Sequence, residues 1–321
     1  MLSQFLLVRS NYGSEIPTEP PERAMQLQRV HLIATRNRKE GVTRAFAALA
    51  PESLEGKRTF VKPNFNTADP TPGSTHNDTL EAILGEIRSR GPASLGLGDR
   101  SAPETAEVLR SKGIHDLASR YDATVIDFDE LGDDGWVYFG PEDNHWPEGF
   151  HVAGPVLDTD YLVWTPCLKT HQFGGVFTMS LKLAVGVVPK RGYEYMSQLH
   201  SSPHQRRMIA EINAKFSPDL VILDGVQAFV DGGPATGELA DTGVFIAGYD
   251  RIAVDAVGLA VLKNAGTKDE IADVPIFEQE QMARAVELDL GITGPDEIEI
   301  TAEGSGGEEL AANLRDILAR G

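Results

Sequence analysis

Cationic side chains gather around one glycine turn. The stretch Thr165-Pro166-Cys167-Leu168-Lys169-Thr170-His171 is followed by Gly174-Gly175, then by Thr178-Met179-Ser180-Leu181-Lys182 and Gly186. Only 10 of the 29 basic residues are lysines, and 48 Asp and Glu oppose them. Two of those lysines beside one turn, with a histidine, make a setting for phosphate or carboxylate, because glycine amides and ammonium groups both attract anions. His171 adds a group that exchanges protons near neutral pH. The competing reading is a solvated lysine pair beside a tight turn.

Other candidates stand directly after apolar runs, where an open α/β sheet collects its ligands. They are Lys62-Pro63-Asn64, Gly98-Asp99-Arg100-Ser101, Asp224-Gly225 and Asp250-Arg251. Asp99 can orient a hydroxyl or a metal, and Ser101 reads as a helix cap. Asp224 is a possible ligand for a divalent metal. Gly232 and Gly233, in Asp231-Gly232-Gly233-Pro234-Ala235-Thr236-Gly237, allow close backbone approach to a ligand or simply make an exposed turn. No Gly-Lys-Ser/Thr follows, so this is not a phosphate-binding Walker loop. His76, His200 and His204 are further acid–base or ligand candidates, each equally readable as a loop or core histidine. Cys167 reads as a small buried hydrophobe before it reads as a nucleophile.

The elements that must position these residues alternate. Strands are expected over 29–34, 58–64, 94–99, 123–127, 161–165, 220–224 and 244–247, and helices over 41–49, 203–216 and 252–264. A helix also starts at Asn77 or Asp78 and stops at Gly91-Pro92, and another starts at Pro103. Helix, strand and helix close the chain over 277–290, 297–301 and 308–319. If 176–187 is a helix, Ser180 and Lys182 cannot both lie on its apolar face. Such alternation predicts an α/β fold with mixed, mostly parallel sheets flanked by helices. Two lobes are expected, at 28–130 and 156–321, preceded by an arm over 1–27. Between them, 131–155 reads as an irregular insert, a hairpin or active-site flap. The alternative is one intertwined unit.

Composition narrows the partners. A net charge of −19 disfavours nucleic acid and anionic lipid, which both need clustered Lys and Arg. The single cysteine leaves no ligands for a Cys-bound iron–sulfur cluster. No signal peptide is legible and no apolar run reaches the length of a membrane span, so a cytoplasmic location with no membrane partner is expected. Oligomeric state is open.

Several segments, in order over roughly residues 55 to 260, resemble the domain-of-unknown-function 362 (DUF362) family. They are Val61-Lys62-Pro63-Asn64, Thr75-His76, Gly98-Asp99 with Ser101, Pro166 to His171, Ser180-Leu181-Lys182 with Gly186, Asp224-Gly225, Gly233-Pro234 with Gly237, and Asp250 with Val254-Asp255-Ala256. The resemblance implies a mixed α/β domain and no general reaction. Some relatives carry ferredoxin-like modules, from which this chain departs through its single cysteine. A more distant similarity of plan links it to nickel-pincer lactate racemases, which use paired histidines and lysines.

Together these residues predict an enzyme acting on a small anionic substrate by acid–base or metal-assisted chemistry. Lys62, Asn64, Lys169, Thr170, Lys182, Gly232 and Gly233 would bind the substrate, with His171, His76 and Asp99 as the catalytic groups. The alternative is a non-catalytic module that binds or senses a phosphorylated metabolite or nucleotide, and a scaffold role is a third.

Overall fold

A computed structural model describes residues 27–321; the expected arm falls almost wholly outside the described residues. Thirteen strands form: β1 (Gln28–Ala34), β2 (Arg58–Pro63), β3 (Ser94–Asp99), β4 (Thr124–Asp127), β5 (Trp136–Phe139), β6 (Phe150–Ala153), β7 (Tyr161–Thr165), β8 (Cys167–His171), β9 (Val176–Thr178), β10 (Leu220–Gly232), β11 (Gly237–Ala240), β12 (Val244–Gly248) and β13 (Ile298–Glu303). Eleven of them share one sheet, in the order β13-β1-β12-β10-β7-β2-β3-β4, with β8 and β11 joined to β10 and β9 to β8. Its pairings are mostly parallel; β12 runs against both neighbours, β11 against β10, and β9 against β8.

Helices cover both faces, and side-chain alternation shows why the apolar strands are continuous. On β7, Leu162 and Trp164 enter one hydrophobic cluster while Tyr161 and Val163 enter the other. A parallel strand buried on both faces must be apolar throughout, which is how 94–99 and 161–165 form with their expected bounds. Strands of both expected lobes enter the same sheet: β1 lies between β12 and β13, and β2 beside β7.

Three stretches add to or differ from expectation. The polar run ending at His171, for which no element is expected, is strand β8, buried along its whole length. The strand expected over 220–224 runs on to Gly232, because the Asp224 carboxylate is taken up inside the protein by Arg38 and Thr79. Residues 176–187 do not make one helix: β9 is followed by the short helix Ser180–Leu183 and a 3-10 turn, Ala184–Val187. Segment 131–155 contains the antiparallel hairpin β5–β6. Its Trp146 and Phe150 are fully buried, tying the hairpin into the larger core. Among the described residues, no helix is long and apolar enough to cross a membrane.

Candidate functional site

Parallel strands β2 and β3 end side by side, and that end of the sheet carries polar residues that are buried rather than solvated. Lys62, Asn64 and Asp99 are at most 5% exposed, and Arg100 follows directly from β3. On β8, residues two apart share a face, so Lys169 and His171 point together while Thr170 points away, its hydroxyl donating to the Gly232 carbonyl at 3.2 Å. These side chains meet Asn66, Thr178, Lys182, Leu183, Val185, Gly186 and Pro234 around a cavity of about 60 Å³. One carboxylate- or phosphate-sized group, or a few waters at about 10–15 Å³ each, fits that space.

Of the expected site residues, the cavity brings together Lys62, Asn64, Asp99, Lys169, His171 and Lys182. Arg100 and Asn66 extend the set. Arg100 was legible as a charge directly following a buried strand end; Asn66 lies in a loop with no such marker. Gly232 and Gly233 hold the chain behind Thr170 with positive φ, and a Cβ on Gly233 would meet the Thr170 carbonyl at 2.1 Å; the next residue, Pro234, reaches the cavity. His76 and Asp224 lie elsewhere. His76 caps the helix Asn77–Ser89, its Nδ1 accepting the Asp78 amide at 3.1 Å. Asp224 accepts from Arg38 Nε at 3.0 Å, Thr79 Oγ1 at 2.6 Å and the Val226 amide at 3.1 Å. Among the described residues, no three His, Cys, Asp or Glu side chains converge as a metal site. No residue of 131–155 lines the cavity. Cys167 is buried, and burial pushes its thiol up, away from the reactive thiolate.

Three of the four basic groups are anchored. Lys62 Nζ lies 2.7 Å from Asp99 Oδ1 and donates to its neighbour's carbonyl at Pro63, at 2.8 Å. Asp99 in turn accepts the Phe65 and Arg100 amides at 2.6 and 2.7 Å. Burial drives the Lys62 amine down and the Asp99 carboxyl up, and each charge opposes that drift in the other. Lys169 Nζ donates to the Gly73 carbonyl at 2.6 Å. The Arg100 guanidinium donates to the Val185 and Val188 carbonyls at 2.6 and 3.0 Å. Burial lowers it, yet a guanidinium keeps its charge.

Lys182 is the exception, forming no hydrogen bond or ion pair among the described residues. Its stem passes so close to Gly175 that a Cβ there would sit 2.6 Å from Lys182 Cε and 2.9 Å from His171 Nδ1. Burial, with Lys169 and Arg100 adding like charge, lowers its amine to about 7. Burial alone lowers the Lys169 amine to about 8, against the pull of Cys167, Asp69 and Asp99. His171 is pushed down to about 2 by burial and then by Lys182 and Lys169. Its ring is therefore neutral, and with the Phe173 amide donating to Nδ1 at 3.2 Å the remaining proton belongs on Nε2.

The loop carrying Lys182 is set from beneath. Asp255, on the helix Arg251–Ala265, accepts the Ser180 and Leu181 amides at 2.7 and 2.8 Å, satisfying the donors that begin the short helix Ser180–Leu183. Gly186 then crosses the Lys62–Asp99 pair, where a Cβ would stand 2.8 Å from Lys62 Nζ and 2.6 Å from Asp99 Oδ1. Asn64 Nδ2 and Thr178 Oγ1 are buried at this site without hydrogen-bond partners. The cavity thus offers cationic charge, unused donors and one amine able to gain or lose a proton near pH 7.

Comparison with known proteins gives the chain a family. The family described as "Domain of unknown function (DUF362)" matches residues 59–260, which hold every basic and acidic residue of the cavity. A thylakoid-associated protein of a Synechocystis species is 27% identical over 216 residues, 65% of this chain and 64% of the relative. The chain therefore spans just under two thirds of that curated relative. Among solved structures, the lactate racemase apoprotein from Thermoanaerobacterium thermosaccharolyticum aligns over 92% of this chain and 87% of its own, with 13% identity and a TM-score of 0.39.

Proposed function

The chain belongs to the DUF362 family, and we propose that this member is an enzyme that binds a small anion, carboxylate or phosphate, and moves a proton on it. One observation carries the reading: Lys62, Arg100, Lys169 and Lys182 surround one small cavity that holds a single carboxylate, in a protein of net charge −19. Burying so many cations is costly unless they are paired. Asp99 pairs one. An anion entering the cavity offsets the rest, and the same cost makes an empty site a strong attractor for it.

Each group then has a role. The Lys62–Asp99 pair braces the strand ends; Arg100 and Lys169, fixed by backbone carbonyls, supply the charge; Asn64 and Thr178 add hydrogen bonds. Lys182, whose amine is part-neutral near pH 7, takes or gives the proton. His171 is held neutral and donates a hydrogen bond through Nε2 rather than a proton. The cavity's single carboxylate is paired with Lys62 and stands among cations, a donor set that does not suit a hard divalent cation.

The test is ligand-induced stabilisation followed by turnover. Acetate, phosphate and small hydroxy and oxo acids should raise the melting temperature of the protein, and Lys169→Met should remove the rise. Turnover of a stabilising acid that stops in Lys182→Arg supports the enzyme; stabilisation without turnover of any acid favours the binding module. No stabilisation by any anion contradicts both.

A further inference from the structure

Among the four basic groups of the cavity, three are occupied and one is idle. Lys62 is paired with Asp99, Lys169 is bonded to the Gly73 carbonyl, and Arg100 is bonded to the Val185 and Val188 carbonyls. A group that only neutralises an anion is best held still, and these three are. Lys182 has no such tether among the described residues, and its Cε lies against the side of Gly175 that a side chain would fill. Lys182 is partly buried, with an untethered amine at the cavity, which leaves that amine free to meet a bound molecule.

We propose that Lys182 is a nucleophile that forms an imine with a small aldehyde or ketone carrying an anionic group. The inference rests on the anion-site reading and gives Lys182 a covalent role in place of the proton-carrying one. Arg100 and Lys169 would hold the carboxylate or phosphate, leaving the carbonyl carbon to meet Nζ of Lys182. The neutral amine adds to that carbon, and one proton passes from the nitrogen to the carbonyl oxygen to give a carbinolamine. Loss of that oxygen as water, with one further proton supplied by solvent, leaves a protonated imine; no oxidant or reductant is needed. The iminium withdraws electrons from the neighbouring carbon–hydrogen or carbon–carbon bond, which is what makes a bound keto acid reactive toward proton loss or cleavage.

Two surroundings favour the step. In the free cavity burial, with Lys169 and Arg100 adding like charge, leaves part of the Lys182 amine unprotonated near pH 7; a bound anion raises that value, so attack by the neutral amine quickens as the pH rises above 7. His171, neutral and lining the same cavity, offers an Nε2–H to the developing hydroxyl. Glycine at 175 leaves room for the amine to turn, because any Cβ there would strike its Cε.

Borohydride trapping tests this. The protein is incubated with glyoxylate, pyruvate or glyceraldehyde 3-phosphate, reduced, and examined by intact mass and peptide mapping. One reduced adduct per chain, on Lys182 and absent from Lys182→Arg, supports the proposal. Melting curves of Lys182→Arg, with and without acetate or phosphate, check that the variant folds and that the charge it keeps still lets anions stabilise it. Stabilisation of the native protein by those simple anions, with no adduct or with adducts spread over surface lysines, overturns the imine and leaves the anion site standing. No adduct and no stabilisation overturns both. Protection of Lys182 from trapping by excess acetate further supports a shared cavity, and equal labelling with and without acetate counts against it.

Discussion

Anion binding should depend steeply on pH, in a direction that the cavity's amines dictate. Lys182 and Lys169 are lowered to about 7 and about 8, so both are charged in mildly acid solution and both are neutral in mildly alkaline solution. An anion stabilises the charged form, raises both values and draws protons onto the protein as it binds. At about pH 9 the neutral form of Lys182 outweighs the charged form by roughly 100 to 1, and that of Lys169 by roughly 10 to 1. An anion that needs both charges therefore loses about 1,000-fold in affinity between about pH 6 and 9, or about 4 kcal/mol at 1.36 kcal/mol per unit. Arg100 keeps its charge throughout, so residual binding survives. The free protein moves the opposite way. Lowered lysines bind fewer protons in the folded state than in the unfolded chain, so between about 7 and 10.5 its stability rises with pH. Calorimetric titration with sulfate, which does not titrate in this window, gives the affinity at each pH. Repeating it in buffers of different ionisation enthalpy counts the protons taken up. A flat profile, or proton release on binding, refutes the reasoning.

Further predictions concern the framework. Asp99→Asn leaves the fully buried Lys62 without its counter-charge and should cost about 3–5 kcal/mol in urea unfolding; Lys62→Met added to it should restore most of the loss, and an additive pair would show that the two are not coupled. Gly186→Ala drives a methyl group into Lys62 Nζ and Asp99 Oδ1, and should destabilise by about 1–3 kcal/mol while abolishing the anion-induced melting shift. Asp224→Asn weakens the contacts to Arg38 and Thr79 and should lower stability by about 1.5–3 kcal/mol. Because Asp224 lies outside the cavity, sulfate affinity should be unchanged, and a large change would place it in the site.

What the chain reveals unaided follows from how each residue is buried. Lys62 and Asp99 are legible because each is a charge at the end of an apolar run, and both prove to sit at adjoining ends of β2 and β3. Strand β8 is not legible, since Lys169, Thr170 and His171 carry the polarity of a turn; the cavity receives Lys169 and His171, and the Gly232 carbonyl takes up the Thr170 hydroxyl on the other face. Asp224 misleads for the opposite reason. Its carboxylate follows an apolar run as Asp99 does, but a long-range partner, Arg38, consumes it 186 residues away in sequence. His76 shows the same limit locally, where capping a helix and lining a site call for similar side chains. The short helix carrying Lys182 escapes periodicity because it is only four residues long and is set by Asp255, 75 residues from Ser180.

The proposed anion site is the one cavity ringed by Lys62, Arg100, Lys169 and Lys182. Crystals soaked in selenate measure this directly, through the anomalous scattering of selenium. A peak within hydrogen-bond reach of Lys182 Nζ and Lys169 Nζ that disappears in Lys169→Met is expected; selenate bound only at surface arginines, with that cavity filled by water, rules the anion site out.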